Sequence, residues 1–185
     1  PLPLDAPHLF SSPQWGEAGT GPMTYRFCMA CGERLRRVRQ EGRVRLSCRR
    51  CGWIFYGNPI PAVVALVVRG GKVLLARRGA APSQGTWDLP GGFLEAGETP
   101  ERGLAREIKE ELGARIGSAR FLAFFTETYG PRGFPILAAV YRVRLARGRL
   151  RHGSDVSEVR WFSRRRLPYR KIGFLSVRRA LRRFA

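Results

Sequence analysis

Apolar residues are grouped along the chain in short runs whose length and period predict strands. Residues 62–68 form a near-continuous apolar run, which is typical of a central strand buried on both faces. Gly70 and Gly71 predict a tight hairpin turn into a second strand at residues 73–76. Further strands are predicted at residues 121–128, 136–145 and 159–162, with a loop at residues 80–85.

Two segments have helical periodicity instead. In residues 100–112 an apolar residue recurs at every fourth position, and the stripe consists of Leu104, Ile108 and Leu112. Thr99 is a good N-cap ahead of Pro100, and Gly113 is a good C-terminal stop. Residues 175–184 predict a second helix, amphipathic and strongly basic. Strands interspersed with helices predict the α/β fold class.

The distribution of charge singles out the first helix. The chain of 185 residues has a formal net charge of +20, yet six of its fourteen acidic residues lie between Glu95 and Glu111. Glu107, Glu110 and Glu111 are spaced i, i+3, i+4 and share one helix face, where they repel each other unless a cation is present. Hard carboxylate oxygens on a rigid element suit Mg²⁺ or Mn²⁺. From the residues alone, a solvated charged face with i, i+4 ion pairs is the alternative.

The loop before this helix completes a longer motif. Residues 87–92, Trp-Asp-Leu-Pro-Gly-Gly, end in a turn that lets the backbone approach a ligand or metal closely. Gly92 is followed by five residues, Glu98, seven residues and Arg-Glu-Ile-Lys-Glu-Glu-Leu-Gly at 106–113. This pattern resembles the box of the Nudix hydrolase family. Ala114, at the last aliphatic position of the box, is a small departure that concerns packing rather than chemistry.

The resemblance implies the Nudix fold, a mixed sheet sandwiched between helices, over residues 58–185. It also implies hydrolysis of a diphosphate linked to another moiety, commonly a nucleoside. By similarity, the divalent metals, Mg²⁺ or Mn²⁺, are held by the Gly92 carbonyl and by three carboxylates, those of Glu107, Glu110 and Glu111. Glu98 and Arg106 are expected to form a bridge between loop and helix. The predicted catalytic set consists of these two residues together with Glu107, Glu110 and Glu111.

The general base varies across the family, so three candidates remain: Glu110, Glu95 and Glu158. Glu158 has a second interpretation, in which it only flanks the strand at residues 159–162. The residues predicted to contact the substrate are Gly91, Gly92, Glu95 and Tyr129.

All four cysteines fall in two C-x-x-C pairs that sixteen residues separate: Cys28 with Cys31, and Cys48 with Cys51. A glycine follows each pair and permits the tight turn that points both sulfurs at one ion. Paired knuckles of this kind predict a closed, structural, four-sulfur Zn²⁺ site of the zinc-ribbon type, with a small hairpin between them. Two disulfides or a redox C-x-x-C are the alternatives.

The substrate is predicted only as a class, a nucleoside diphosphate derivative such as ADP-ribose or a dinucleotide. Some zinc-ribbon Nudix proteins resemble NADH pyrophosphatases, which carry a Ser-Gln-Pro-Trp-type segment after the box that this chain lacks. Tyr129 matches an aromatic associated with diadenosine polyphosphates, whereas Pro131 matches a proline associated with ADP-ribose. Tyr129, Phe134 and Trp87 are candidates for stacking on a base, with burial in the core as the alternative.

Composition predicts three segments. Residues 1–22 are rich in Pro, Gly and Ser and are expected to be disordered, or a leader foreign to the native product that begins at Met23. Residues 23–57 are assigned to the zinc ribbon and residues 58–185 to the Nudix domain. The sequence has no apolar run of membrane-spanning length and no signal-peptide pattern, so a cytoplasmic protein is expected.

The C-terminal region is rich in arginines interleaved with aromatic residues, which raises weak nucleic-acid binding as a hypothesis. A solvated basic surface is the alternative and is favoured. A positive surface also attracts an anionic nucleotide substrate. The second functional hypothesis is therefore a nucleotide-sensing or nucleic-acid-binding module without catalysis. Many relatives pair as dimers, which makes a homodimer a further expectation.

Overall fold

The computed structural model describes residues 25–131 and 133–185, so the predicted leader at residues 1–22 lies outside the described part. The described residues divide into two compact units, with the boundary between Asn58 and Pro59. No helix within the described residues has the length and apolar character needed to cross a membrane.

The first unit contains a three-stranded antiparallel sheet in the order β1-β2-β3, formed by β1 (Leu35–Gln40), β2 (Arg43–Cys48) and β3 (Ile54–Phe55). The predicted hairpin is confirmed, because Gln40 pairs with Arg43 across a two-residue turn. Both turn residues, Glu41 and Gly42, have positive φ (50° and 73°), which matches the twist of a tight hairpin.

The second unit is built on one mixed sheet of seven strands: β4 (Ile60–Arg69), β5 (Lys72–Arg78), β6 (Trp87–Asp88), β7 (Gly91–Phe93), β8 (Ile116–Tyr129), β9 (Phe134–Leu145) and β10 (Val156–Ser163). The main order is β10-β5-β4-β9-β8, with β6 paired to β5 and β7 paired to β4. Strands β4 and β9 are parallel, and the other neighbours are antiparallel. The predicted central position of the 62–68 run is confirmed.

Two helices, α1 (Pro100–Leu112) and α2 (Leu175–Phe184), cover opposite faces of this sheet. Alternate residues of β4 point to opposite faces. Val63 and Val67 therefore pack in the cluster that contains the α1 stripe, whereas Leu66 packs in the cluster that contains α2. The predicted sandwich of a mixed sheet between helices is thus confirmed. Short 3-10 turns at Arg164–Arg166 and Tyr169–Lys171 lead into α2.

Both helices have the bounds predicted from the sequence. The side chain of Thr99 caps α1 by accepting a hydrogen bond from the Arg102 amide at 3.4 Å. Gly113 ends α1 in the left-handed region (φ 61°), and its amide donates to the Lys109 carbonyl.

The Pro-Gly-Gly segment differs from its prediction as a turn, because Gly91–Phe93 forms strand β7 along β4. Strands β4 and β5 pair only next to their hairpin, at Val68–Val73 and Arg69–Lys72. Beyond that point β4 pairs with β7 instead of β5, and β5 pairs with β6 instead of β4. The chain before α1 is thereby inserted between two neighbouring strands.

Candidate functional site

A cavity of about 350 Å³ lies in the second unit, beside the inserted strands. Its walls come from the sheet, from α1 and from the start of α2. The predicted site residues that line it are Gly91, Gly92, Glu95, Glu107, Glu111 and Tyr129. The fold thus brings most of the predicted substrate and metal residues to one place.

The lining of this cavity is acidic although the chain is basic. Six of the fourteen acidic residues of the chain line it: Asp88, Glu95, Glu107, Glu111, Glu127 and Asp155. Among the described residues Arg78 is the only cationic side chain in the lining. Such an excess of carboxylates in a partly enclosed space favours the binding of cations.

Glu111 is the most perturbed of these carboxylates. It is held in place by the Gly91 amide, which donates to Oε2 at 2.9 Å. Burial, together with the nearby carboxylates of Glu107 and Asp88, raises the pKa of Glu111 to about 8 against the opposing Gly91 hydrogen bond. A divalent cation would replace the proton that this carboxyl group otherwise retains near neutral pH.

Glu107 lies beside Glu111 on the same helix, with its side chain 13% exposed. Burial raises the pKa of Glu107, while its hydrogen bond with Arg106 opposes the shift. Gly92 lies close to Glu107, because a Cβ atom added to Gly92 would touch the Glu107 carboxylate. Two carboxylates and a glycine backbone therefore converge on the cavity, a donor set that fits Mg²⁺ or Mn²⁺.

Arg106 joins the loop before α1 to the helix. Its guanidinium donates to both carboxylate oxygens of Glu98, at 2.8 and 3.0 Å, and to the Phe93 carbonyl at 2.9 Å. The hydrogen bonds from Arg106 hold the pKa of Glu98 at about 2. Arg106 also contacts Glu107 (2.8 Å) and Glu110 (3.0 Å). The expected contact between Glu98 and Arg106 is therefore present, and neither residue lines the cavity.

The three candidate bases are found in different surroundings. Glu95 lines the cavity, whereas Glu110 is 58% exposed and lies outside the lining. Glu158 projects from β10 and forms ion pairs with Arg77 (3.7 Å) and Arg160, also outside the lining. Glu158 therefore lies within the strand that it was expected to flank, and away from the cavity.

A second group of cavity residues surrounds the predicted Tyr129, and its other members, Arg78, Asp88 and Phe174, were not predicted as site residues. Arg78 contacts Asp88 (3.3 Å) and the Tyr129 hydroxyl (3.2 Å), and its guanidinium lies 5.1 Å from the centre of the Phe174 ring. Tyr129 stacks on Phe174 with ring centres 5.8 Å apart. Burial raises the pKa of Asp88 to about 6 against the attraction of Arg78. Trp87, by contrast, is buried in the core.

No local signal in the sequence could have brought Arg78 and Phe174 together, because Arg78 lies on β5 and Phe174 precedes α2, far apart in the chain. Glu127 belongs to the same part of the cavity. Its Oε2 accepts a hydrogen bond from the Ser176 amide at 2.8 Å, and so caps α2, whose N-cap residue Phe174 has no polar side chain.

The four cysteines form the metal-type cluster of the first unit. Their sulfur atoms all lie within 4.8 Å of one another, with 3.6 Å from Cys28 to Cys51 and 3.5 Å from Cys31 to Cys48. A tetrahedral zinc ion with Zn–S bonds of ~2.3 Å needs sulfurs ~3.8 Å apart, so the cluster fits zinc. Hydrogen bonds from the Cys51 and Arg50 amides lower the pKa of Cys48 to about 7, which favours the thiolate that a metal requires.

Two family models match the chain. The model described as NUDIX domain matches residues 58–184, and the model described as Nudix N-terminal, a zinc ribbon, matches residues 26–57. The first match covers more than half of the chain.

Named relatives point the same way. An ADP-ribose pyrophosphatase of Methanocaldococcus jannaschii is 35% identical over 114 residues, 61% of this chain and 67% of that protein. The NAD-capped RNA hydrolase NudC of Stutzerimonas stutzeri is 30% identical over 157 residues, 82% of this chain and 53% of that protein. The chain thus spans about half the length of the NudC relative.

A solved structure of a Nudix hydrolase from Nitrosomonas europaea superimposes with a TM-score of 0.69 at 31% identity, and the match covers 86% of this chain and 90% of that one. A MutT Nudix hydrolase from Burkholderia pseudomallei superimposes with a TM-score of 0.64 at 32% identity, over 69% of this chain and 99% of that one. The chain therefore belongs to the Nudix hydrolase family, and its Nudix domain follows a zinc-ribbon domain.

Proposed function

We propose that the second unit hydrolyses the diphosphate linkage of a nucleoside diphosphate derivative and depends on Mg²⁺ or Mn²⁺. The observation that carries this proposal is the pair Glu107 and Glu111, which face one cavity beside the Gly91–Gly92 backbone. Glu107, Glu111 and the Gly92 carbonyl would hold the metal. Glu110 is proposed as a further ligand on the sequence motif alone.

Divalent ions bound there would neutralise the diphosphate and lower the pKa of a coordinated water. Side chains of the cavity would bind the substrate and accept a proton. Arg78 offers the cationic group of the cavity to a phosphate oxygen, and the Tyr129–Phe174 stack offers an aromatic surface to a base. Glu95 lines the cavity and is the proposed acceptor of the water proton.

The proposed substrate class is supported by the relatives. ADP-ribose and NAD, which appear in the names of two of them, are both nucleoside diphosphate derivatives. ADP-ribose is compatible with Pro131 and with the lack of a Ser-Gln-Pro-Trp-type segment. The proposal includes Zn²⁺ at the four cysteines and a cytoplasmic location, where thiols remain reduced. A homodimer and nucleic-acid binding by the C-terminal region remain predictions.

The test is a substrate panel of ADP-ribose, NADH, dinucleoside polyphosphates, nucleoside triphosphates and capped RNA, with and without Mg²⁺ or Mn²⁺. We expect metal-dependent cleavage, and Glu111→Gln should lower kcat by about 10²-fold or more while the protein stays folded. Glu101→Gln is the matched control, because Glu101 lies on the same helix and contacts Tyr141 instead of the cavity. Full activity of Glu111→Gln would contradict the proposal.

A further inference from the structure

The start of α2 forms one wall of the cavity, and Phe174 is the aromatic ring in that wall. This ring stacks on Tyr129 with an angle of 16° between the ring planes, and the Arg78 guanidinium lies 5.1 Å from its centre. Ser176 and Val177, the other residues of this wall, are buried. The position of the ring therefore depends on how the chain is fixed on either side of Phe174.

On the N-terminal side the chain is fixed by backbone contacts outside the cavity lining. The Gly173 amide donates to the Trp87 carbonyl at 3.1 Å, and Ile172 pairs with Trp87 in an isolated parallel bridge. A Cβ atom on Gly173 would overlap the Thr86 hydroxyl, so the missing side chain lets the backbone lie close to Thr86. The chain is thus anchored immediately before Phe174.

On the C-terminal side the anchor is a side chain of the cavity, Glu127. Its Oε2 accepts a hydrogen bond from the Ser176 amide at 2.8 Å, and its Oε1 accepts one from the Thr128 amide at 3.0 Å. The Ser176 amide is one of the first four of α2, which have no partner within the helix. Because Ser176 is buried, water has little access to replace Glu127 as the acceptor.

The negative charge of Glu127 is matched by the helix rather than by a side chain. Glu127 forms no ion pair among the residues that the structure describes. Residues 175–184 contain four arginines and no acidic residue, so Glu127 supplies the negative charge that a helix N-terminus favours. Both of its oxygens accept backbone amides, which favours a supporting role over direct contact with the substrate.

Strand β8 links this cap to the aromatic wall. Glu127 and Tyr129 are two positions apart on β8, so both side chains point to the same face of the sheet. We propose that Glu127 is a positioning residue, which caps α2 and thereby holds Phe174 against Tyr129 in the arrangement that receives a nucleobase. The proposal rests on the proposed function in one respect, that the Tyr129–Phe174 stack receives a base.

The binding test uses AMP, which carries a base and a phosphate, and the full chain with zinc and Mg²⁺ in isothermal titration calorimetry. Glu127→Ala should weaken AMP binding by about fivefold or more, because the loss of a base-stacking surface has effects of this size. Glu127→Gln keeps an oxygen that can accept from the Ser176 amide and should restore binding. The matched control is Glu101→Ala, which removes an acid from the first turn of α1 outside the cavity lining and should bind AMP like the wild type.

A double-mutant cycle distinguishes positioning from direct contact. If Glu127 acts through Phe174, then Phe174→Ala weakens AMP binding and Glu127→Ala weakens it no further in that background. Independent effects of the two substitutions would overturn the proposal, and so would equal AMP affinity of Glu127→Ala and the wild type. Absence of AMP binding to the wild type, or a Glu127→Gln protein as weak as Glu127→Ala, would overturn it as well.

Hydrogen exchange measures the cap without any ligand. Protection of the Ser176 amide should fall in Glu127→Ala and return in Glu127→Gln, while amides of β4 and β9 stay protected and show that the domain is folded. Unchanged protection of Ser176 in Glu127→Ala would overturn the proposal. Gly173→Ala is a second variant, which displaces Phe174 from the other side through Thr86 and should also weaken AMP binding.

Turnover of ADP-ribose separates this proposal from the proposed function. In Glu127→Ala, KM should rise and kcat should stay near that of the wild type, because contact with the base is the same in the ground state and the transition state. A fall in kcat at unchanged KM would overturn the positioning role. If the wild type cleaves no substrate of the panel while AMP binding still depends on Glu127 and Phe174, the proposed function fails and the positioning role stands.

Discussion

At the scale of single residues, Glu111 shows how the fold prepares a carboxylate for a cation. The ordinary pKa of this side chain is 4.5, and burial raises it to about 8 in the folded protein. The folded state therefore holds a proton that the unfolded chain has released. Each pKa unit of such a difference corresponds to about 1.4 kcal/mol of stability lost as the pH rises.

This difference predicts a pH dependence of stability. In Mg²⁺-free buffer with zinc present, the free energy of unfolding should fall between pH 6 and pH 8, by up to about 1.4 kcal/mol per pH unit. The raised pKa of Asp88, about 6, contributes below this window. Urea titrations followed by circular dichroism at both pH values measure the fall. Glu111→Gln should flatten it, and Mg²⁺ should stabilise the wild-type protein more at pH 8 than at pH 6.

Glu101→Gln should keep the wild-type dependence of the free energy of unfolding on pH in this window. The pKa of Glu101 is lowered, so its titration changes stability only below pH 4.5. An equal fall in Glu111→Gln and wild type would show that another group titrates in this window.

The site residues that the sequence predicts are those marked by a pattern of neighbouring positions in the chain. Glu107 and Glu111 lie one turn apart on a capped, periodic helix, so spacing alone places them on one side. Arg78 and Phe174 come from β5 and from the start of α2, and their contact depends on the packing of α2 against the sheet, which no local period encodes. Glu110 shares the helix but is 58% exposed and pairs with Arg106 outside the cavity lining, a difference that a spacing of three or four residues does not resolve.

At the scale of elements, the sequence of strand β7 predicts a turn because Pro90 directly precedes its two glycines. Its glycines instead permit close packing on two sides. Gly91 has φ 145°, and a Cβ atom there would lie 2.7 Å from the Val64 Cα. Gly92 has ordinary φ, and its missing side chain leaves room for the Glu107 carboxylate.

This contrast predicts different outcomes for two similar substitutions. Gly91→Ala should cost about 2 kcal/mol or more of stability, because its Cβ meets the β4 backbone, which cannot move aside. Gly92→Ala should leave stability near that of the wild type, since the end of a flexible side chain yields, while kcat falls on the order of 10²-fold as Glu107 is displaced. Urea titrations and Mg²⁺-dependent turnover measure the two effects. A fully active Gly92→Ala protein would contradict the role given to this contact.

At the scale of the whole molecule, the two units are stabilised by different means. The second unit buries one apolar cluster under α1 and another under α2. The described part of the ribbon buries Cys28 and Cys48 alone among its hydrophobic residues. The short apolar runs of the second unit made its sheet predictable, and the C-x-x-C spacing made the ribbon predictable without any apolar period.

The ribbon should consequently need its metal to fold, whereas the Nudix domain should not need that metal. A small unit without an apolar core gains most of its folding free energy from the ion. A zinc-selective chelator should therefore abolish the hydrogen-exchange protection of amides in β1 and β2 and leave those of β4 and β9 protected. Restored zinc should return the protection, which separates metal loss from irreversible oxidation of the thiols. Protection of β1 and β2 that survived chelation would show that the half-buried packing of Trp53, Phe55 and Tyr25 holds the ribbon by itself. Simultaneous loss in β4 would show instead that the two units fold as one.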